Sequence, residues 1–404
     1  MSILAFLKAN FRWLACGFLL TLFSSFGQTF FIGLSGHELR RAFDLTGGGF
    51  GFVYMAATLA SALTLPWLGR LLDIYPAWKF SLAVIPALAL SCLFLPFART
   101  VPELILSLYL LRLFGQGMMT EIAYTMIGKW FVANRGRAVS LIIPGHQTGE
   151  AILPLAFVAV STSAGWQTAW FGAAAAILFI ACPLIVALLR IGRIPQAEIA
   201  TDVDTDVRHW TQAEVMRDPT FWLLLVGVLA PSFIGTAVFF HQDYLVREHG
   251  TTAVVFAASF PIMAVTTIVF SLVSGALIDR FGAIRLLPFF LLPLMASIVI
   301  VALVTPAWAI YLFMLLFGVS YGFSSTLLGA IWPEIYGTRY LGGVRALTVS
   351  AMVLTTSLGP GLVGAFLDRG VALSNQLLWM AAWCAFATVV LSLVSRRLRR
   401  SRPI

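Results

Sequence analysis

Long apolar stretches, separated by short polar breaks, run along the whole of this chain. A helix that crosses the hydrocarbon core of a bilayer needs about 17 to 25 mostly apolar residues. Stretches of about that length recur in two sets of six. We expect membrane spans near residues 12–34, 47–68, 79–98, 102–128, 138–160, 166–190, 219–241, 252–277, 285–304, 307–331, 342–366 and 374–395.

The composition agrees with this pattern. Of 404 residues, 60% are hydrophobic and 11% are charged, whereas about a quarter of the residues are charged in a soluble protein. The predicted fold class is an all-α membrane protein with twelve transmembrane helices in two pseudo-symmetric six-helix bundles. We expect an N-terminal bundle at 1–190, a cytoplasmic linker at 191–218, and a C-terminal bundle with a basic cytoplasmic tail at 219–404. In the linker, the sequence TQAE from Thr211 to Glu214 matches a capping box and predicts a short surface helix.

The net charge of +9 follows the topology and does not indicate a nucleic-acid partner. If both termini lie on the same side of the membrane, that side holds 20 of the 26 lysines and arginines. The positive-inside rule then predicts a multi-pass protein of the cytoplasmic (inner) membrane with both termini in the cytoplasm. The first apolar run is longer than the core of a signal peptide, so we expect a span and not a cleaved leader.

No sequence signature of an enzyme is present. The chain has no Walker A, HExxH or G-x-S-x-G motif. The four cysteines lie in apolar stretches without metal-ligand spacing, and they are Cys16, Cys92, Cys182 and Cys384. We therefore expect no catalytic activity, no metal and no cofactor.

Internal repeats relate the two halves of the chain. The sequence GRLLDIYPAWK at Gly69 follows the second span, and GALIDRFGAIR follows the eighth, 206 residues later, at Gly275. Within the fourth span, YLLRLFGQG at Tyr109 lines up with YLFMLLFGVSYG at Tyr311 of the tenth. A third copy, GAFLDRG at Gly364, falls on the opposite membrane face. Parallel halves with inverted triplets nested inside them are typical of secondary transporters.

These motifs resemble the major facilitator superfamily, and the resemblance covers essentially the whole chain. Its loop pattern is Gly, three residues, Asp, Arg, one residue, Gly, and then basic residues. The second copy matches this pattern, whereas the first has Ile74 and Pro76 where Arg and Gly are usual. The resemblance implies that these loops hold the cytoplasmic gate. The residues to which it assigns that role are Gly69, Asp73, Gly275, Asp279 and Arg280.

Three further segments resemble bacterial monocarboxylate-porter-like and oxalate/formate-antiporter-like members. They are FSSFGQTFFIG in the first span, DPTFWLLLVGVLA at the seventh and YGTRYLGG after the tenth. The animal monocarboxylate transporters are expected to carry a lysine in the first span and an acid–arginine pair in the eighth. This chain has neither, so its substrate chemistry cannot be taken from those positions.

Four ionisable residues lie well inside the fourth and fifth spans, away from the span ends. At 1.5 Å per residue, Arg112 lies roughly 15 Å into the membrane and Glu121 some 13 Å deeper, on the opposite helix face. His146 and Glu150 are four residues apart and share a face. We expect two pairs between the helices, Arg112 with Glu150 and Glu121 with His146.

Charged groups are costly at this depth, so they indicate function. Two interpretations of Arg112 stay open: it binds a carboxylate substrate, or it bonds to first-span carbonyls and serves packing. Glu121 has the alternative of a local partner, Thr125 or Lys129. The predicted substrate-binding residues are Arg112, Gln116, Gln28 and Tyr321, and the predicted proton-coupling residues are Glu150, His146 and Glu121.

The favoured function is secondary active transport of a small organic anion, in particular a monocarboxylate, by alternating access coupled to protons. A proton-driven exporter of drugs or hydrophobic metabolites is the alternative, since many Met, Phe and Ile residues suit an apolar cavity. A membrane sensor without transport is a third possibility, but the chain offers no signalling domain. The expected partners are the substrate, protons and the lipid bilayer. We interpret His241 and Asp243, near the end of the seventh span, as surface groups.

Overall fold

The computed structural model describes residues 3–69, 71, 75–131, 135–191, 210–337 and 341–401. Asp73 and most of the predicted linker lie outside these ranges. Every regular element in the described part of the chain is a helix. The chain divides into two compact units, Met1–Asp202 and Val203–Ile404.

The first unit contains the six predicted spans of the N-terminal half. Three of them are single helices, and three are built from consecutive helical pieces. The single helices are the second, Gly47–Gly69, the third, Ala77–Phe94, and the fifth, Arg135–Ala164. The composite ones are the first, Ile3–Phe23 with Ser24–Gly27 and Thr29–Ile32; the fourth, Val101–Leu111 with Arg112–Met119 and Thr120–Trp130; and the sixth, Trp166–Ala176 with Ile177–Ala181 and Cys182–Leu189.

The second unit contains the other six. A short helix, Gln212–Arg217, precedes the seventh span. The seventh span is Pro219–Val228 with Ala230–Phe240, and the ninth is Ala283–Leu286 with Leu292–Leu303. The remaining spans are the eighth, Ala253–Phe281, the tenth, Trp308–Tyr336, the eleventh, Leu341–Asp368, and the twelfth, Leu373–Ser401.

Nine helices in the described residues are long and apolar enough to cross a membrane. The other three predicted spans are the fourth, the fifth and the shorter ninth. The all-α prediction is confirmed, and the helix termini carry the expected signals. Thr100 and Glu103 form a capping box before the fourth span, and Thr211 and Glu214 form the predicted one before the seventh.

The helices of each unit approach each other closely where a glycine, which has no side chain, lies at the contact. In the second unit, a Cβ on Gly322 of the tenth span would meet the main chain of Thr267 and Ser271 in the eighth. In the first unit, Phe31, Phe157 and Trp170 form a buried aromatic cluster with ring centroids 5.0 to 5.7 Å apart. Small residues and aromatic packing replace the hydrophobic effect as the source of helix association in a bilayer.

Two sequence predictions are wrong in detail. The eighth span does not end before its glycine-aspartate motif, because the helix continues through Gly275 to Phe281 and ends at Gly282, where φ is +79°. His241 is not a surface group. It is fully buried, and its Nε2 atom lies 3.0 Å from the carbonyl oxygen of Pro360, to which it donates.

Candidate functional site

The first span is interrupted inside the first unit. After Phe23 the chain makes one 3-10 turn, Ser24–Gly27, and Gln28 then adopts extended torsion angles, φ −84° and ψ 154°. The helix resumes at Thr29, and the carbonyl oxygen of Gln28 accepts from the amides of Phe31 and Ile32. Non-helical backbone at membrane depth is tolerated where it is buried in protein or lines a cavity, and in transporters such breaks form binding sites.

The fourth span is also irregular, and its irregular part packs on this break. Residues Arg112–Met119 have π-helical hydrogen bonding, which is rare and frequent at functional sites. A Cβ on Gly27 would lie 2.7 Å from the amide nitrogen of Gln116 and from the Cα of Gly115. A Cβ on Gly115 would lie 2.6 Å from the Cα of Gly27. The two main chains are therefore in direct contact, and only glycine fits at either position.

Arg112 is the first residue of the π-helical segment, and its side chain points at the break. It is only 4% exposed. Its Nη1 atom donates to the carbonyl oxygen of Gly27 and to Oγ1 of Thr29, both at 3.3 Å. The guanidinium lies 5.4 Å from the ring centroid of Tyr54, whose hydroxyl is 2.6 Å from Oγ1 of Thr29. The Nε atom is buried without an acceptor among the described residues.

The fifth span approaches the first through two glycines. A Cβ on Gly145 would meet the carbonyl oxygen of Phe18, and a Cβ on Gly149 would meet the Ser25 hydroxyl. Glu150 follows directly and is 4% exposed. In the described structure, its Oε2 atom has no hydrogen-bond partner. The first unit thus buries the Arg112 guanidinium and the Glu150 carboxyl group without pairing them with each other.

The two predicted pairs between helices are not formed. Arg112 binds Gly27 and Thr29 in place of Glu150. His146 contacts the ring of Phe30 edge-on, at 6.1 Å between centroids and an angle of 68°.

Glu121, the predicted partner of His146, is exposed and accepts from the Thr125 hydroxyl at 3.0 Å, as in the local alternative. The prediction failed because it assumed an uninterrupted α-helix through 112–121, whereas the π-helical segment and the break in the first span change which groups meet.

The other predicted site residues are distributed over both units. Gln28 is the extended residue of the break and Gln116 belongs to the π-helical segment, and both side chains are partly exposed. In the second unit, the Tyr321 ring stacks on Phe317 at 5.3 Å and 28°.

The predicted gating residues lie at helix ends where they are described. Gly69 is the last residue of the second span, and a Cβ there would lie 4.0 Å from the Glu121 side chain. Gly275 faces Thr326 of the tenth span, and Arg280 lies over the Phe281 ring at 5.2 Å. Asp73 and the side chain of Asp279 fall outside the described residues.

Sequence reasoning missed three residues that contact Arg112: Gly27, Thr29 and Tyr54. A signal for the first was available. The tripeptide Phe-Gly-Gln occurs in the first span at 26–28 and in the fourth at 114–116, and its two glycines are the ones that touch. Tyr54 carried no such signal, because one tyrosine in an apolar span resembles any other.

The described residues offer no metal site. No group of three or more His, Cys, Asp or Glu side chains lies together in that part of the chain. The four cysteines are buried and unpaired.

Comparisons with known proteins agree with this architecture. The sequence model of the Major Facilitator Superfamily matches residues 17–360. No relative was found among curated proteins. Among solved structures, a bacterial homologue of the human lysosomal transporter Spinster, inward-facing and unoccupied, is similar over 97% of this chain and 98% of its own, with a TM-score of 0.74 and 15% identity.

Two other solved structures are similar over nearly the whole chain. The same Spinster homologue in its inward-facing and occupied conformation has a TM-score of 0.69 and 16% identity, and the alignment covers 96% of this chain and 97% of the other. A point mutant of the nucleoside transporter NupG has a TM-score of 0.71 and 12% identity, with 95% of this chain and 99% of the other covered. At these identities the similarity shows the fold.

Proposed function

Because the chain belongs to the major facilitator superfamily, we propose that it is a secondary transporter that moves a small organic anion, in particular a monocarboxylate, by alternating access coupled to protons. We place it in the cytoplasmic membrane with both termini in the cytoplasm. The distribution of lysine and arginine between the connecting segments supports that orientation.

The observation that carries the proposal is the state of the Arg112 side chain. A guanidinium at membrane depth is costly, about 2.5 to 3.5 kcal/mol on insertion scales, unless it is paired. Here it is buried, has no carboxylate partner among the described residues, and makes two bonds of 3.3 Å to neutral oxygens. A substrate carboxylate would form shorter, charge-assisted and bidentate bonds to the same group. The site is therefore suited to an anion.

Three neighbouring groups support the same assignment. Gln28 and Gln116 directly follow Gly27 and Gly115, the glycines in contact, and both side chains are partly exposed, so we assign their amides to the orientation of the bound anion. The Tyr54 hydroxyl and the Arg112 guanidinium both hydrogen-bond to Oγ1 of Thr29. Tyr321 of the second unit is proposed as a further substrate-binding residue; its ring stacks on Phe317 within that unit.

Glu150 is the proposed proton carrier, with His146 as its neighbour. An ionised carboxylate that is buried without a partner is strongly disfavoured, so the geometry supports a protonated Glu150 in this state. Proton and anion would then bind together, because the protonated carboxyl group does not compete for Arg112. The loops after the second and eighth spans are the proposed gating elements.

Uptake into proteoliposomes tests the function. The purified full-length chain is reconstituted, and uptake of labelled lactate, pyruvate, oxalate and formate is measured with and without an imposed pH gradient. We expect accumulation of at least one monocarboxylate when the exterior is acidic. Labelled nucleoside serves as the comparison solute. Uptake of nucleoside but of no carboxylate would overturn the anion assignment and leave the transporter assignment in place.

A further inference from the structure

A long apolar groove lies on the surface of the second unit. It is formed by the seventh, eleventh and twelfth spans and has a volume of about 690 Å³. Along the eleventh span it extends from Ala351 to Phe366, which is about 22 Å at 1.5 Å per residue. This is more than half of the roughly 30 Å hydrocarbon thickness of a bilayer. The groove is therefore long enough to hold an extended acyl chain.

Most of the polar side-chain groups in the wall of the groove are already bonded within the unit. Nε1 of Trp383 donates to the carbonyl oxygen of Val226 at 3.1 Å, and Nε1 of Trp222 donates to that of Met216 at 2.9 Å. The Gln376 amide donates to two carbonyl oxygens, and the Thr355 hydroxyl donates to that of Ala351. Apart from the Trp379 indole, the side-chain N–H and O–H donors of the wall already have acceptors, so most of the groove surface is hydrocarbon.

The rim is open and apolar. Six large lining side chains are between 38% and 54% exposed: Trp222, Leu354, Leu362, Phe366, Trp379 and Trp383. All six belong to spans that are long and apolar enough to cross the membrane. Apolar surface exposed on such a span contacts acyl chains, so the bilayer itself supplies the material that covers this groove.

A cation lies at the end of the groove where the eleventh span ends. The guanidinium of Arg369 is 5.9 Å from the ring centroid of Phe366, which is a lining residue. The helix ends at Asp368 and the chain turns at Gly370, where φ is +80°, so Arg369 is exposed just beyond the groove. The Glu248 carboxylate accepts from the amides of Leu373 and Ser374, where the twelfth span begins.

We propose that this groove binds one phospholipid, with an acyl chain along the seventh, eleventh and twelfth spans and the phosphate on Arg369. An apolar channel that continues into a cationic end matches the two parts of that molecule. The site is built from residues of the second unit alone. It does not depend on the proposed anion site, which is centred on Arg112.

Photolabelling of the reconstituted full-length chain tests the proposal. The vesicles contain phosphatidylethanolamine and phosphatidylglycerol, with a trace of phosphatidylglycerol that carries a diazirine midway along one acyl chain. After irradiation, labelled peptides are mapped by mass spectrometry. We expect enrichment on the segments that contain Trp222, Trp379 and Trp383, relative to Leu272 of the eighth span, which is 71% exposed and outside the groove.

Two pairs of variants separate a site from general lipid contact. Ala351→Trp fills the groove, whereas Ala276→Trp adds the same ring to a position of the eighth span outside it. Arg369→Ala removes the cation, and Arg247→Ala removes another exposed arginine, which lies over Tyr244. We expect Ala351→Trp to lower groove labelling to the level of the eighth span. We expect Arg369→Ala to lower it about fivefold, as for one basic residue at a lipid surface, with both controls unchanged.

Three results would overturn the proposal. Equal labelling of every exposed span would show that lipid contacts the membrane-facing surface generally and that the groove is not a specific site. Labelling by a diazirine fatty acid but not by the phospholipid would show that the site does not bind the phosphate group. Cross-linking of two chains through the twelfth span would show that a second copy covers the groove. Because Arg369 is exposed, its variant is expected to fold, so an unchanged labelling pattern in Arg369→Ala also counts against the headgroup contact.

Discussion

The guanidinium of Arg112 donates to the main-chain oxygen of Gly27, one residue before the first span leaves the helical conformation. The sequence left open whether Arg112 packs against first-span carbonyls or binds substrate. The contact with Gly27 is the first of these, but it involves a neutral acceptor at 3.3 Å, which a carboxylate can replace. The geometry is therefore compatible with both roles in succession: the break holds the guanidinium until an anion binds.

Substitution of Arg112 separates these roles. Hydrogen bonds to a charged group contribute about 1.5 to 3 kcal/mol each; because Arg112→Ala removes both bonds of the bidentate contact, we expect it to weaken carboxylate binding by more than about 100-fold. Arg112→Lys keeps the charge but loses the bidentate fork, and a smaller loss is expected. The measurement is the Kd of the transported carboxylate for purified protein. Arg247→Ala, at an exposed position of the second unit, is the matched control and should bind normally.

A packing role alone predicts the reverse pattern. Both Arg112 variants would then melt at lower temperature, while the fraction that folds would bind the carboxylate with unchanged affinity. Melting curves recorded on the same samples as the binding isotherms distinguish the two cases.

The contact between Gly27 and Gly115 predicts an unusual cost for a small change. Gly→Ala within a helix normally stabilises by about 0.5 to 1 kcal/mol. At either of these positions the new methyl group would overlap main-chain atoms, and overpacking costs about 1 to 3 kcal/mol. We expect Gly27→Ala and Gly115→Ala to lower the melting temperature. Gly172→Ala, where a Cβ meets nothing within 4 Å, should raise it slightly.

Equal stability of the three alanine variants would mean that the first and fourth spans can separate without cost. In that case the break at Gln28 would not be held in place by the π-helical segment, and the geometry around Arg112 would have to arise elsewhere.

The positions of the spans were predictable because a membrane-spanning helix requires an apolar stretch of a known length, and that length can be measured directly in the sequence. The seventh span was expected at 219–241 and comprises the helices from Pro219 to Phe240. The capping box at Thr211 was predictable for a similar reason, since it depends on two residues at a fixed spacing.

The side-chain partners within the spans were not predictable in the same way. The pairing of Arg112 with Glu150 assumed ideal helices, but two irregular segments redirect the guanidinium to Gly27. His241 was interpreted as a surface group because it follows the apolar run, yet it is buried against Pro360 of the eleventh span. Such contacts depend on neighbours far away along the chain, and local periodicity does not contain them.

Two glutamates cap helices from distant positions, and this leads to a paired prediction. Glu334 of the tenth span accepts from the amides of Ala283 and Ile284, at 2.8 and 3.3 Å, where the ninth span begins. Glu248 accepts in the same way from Leu373 and Ser374. Loss of a helix cap costs about 0.5 to 2 kcal/mol. We expect Glu334→Ala to accelerate amide hydrogen exchange about 2- to 30-fold at Ala283 and Ile284.

Glu248→Ala is the control for the measurement, because it should accelerate exchange at Leu373 and Ser374 and leave Ala283 protected. Glu334→Gln keeps an acceptor oxygen and should restore most of the protection. If Glu334→Ala loosens both helix starts equally, the effect is a general loss of stability and not the removal of a cap.

Glu150 provides the test of proton coupling. Its carboxyl group is buried with Oε2 unpartnered among the described residues, so charging it within the protein requires a compensating change in its surroundings. Glutamine imitates the protonated form and cannot release a proton. We therefore expect Glu150→Gln to exchange carboxylate across the membrane at about the normal rate. It should not accumulate carboxylate when the exterior is made acidic, whereas uptake by the unmodified chain should rise as the external pH falls.

Glu121→Gln is the matched control, because Glu121 is also an acid within the predicted spans of the first unit but is exposed and bonded to Thr125. Its carboxylate already has a local partner in the Thr125 hydroxyl, so we expect accumulation to persist in this variant. Counterflow and gradient-driven uptake, measured on the same proteoliposomes, give exchange and coupling separately. Gradient-driven accumulation by Glu150→Gln would exclude Glu150 as the coupling residue. If Glu121→Gln alone lost accumulation, the proton path would run through the fourth span.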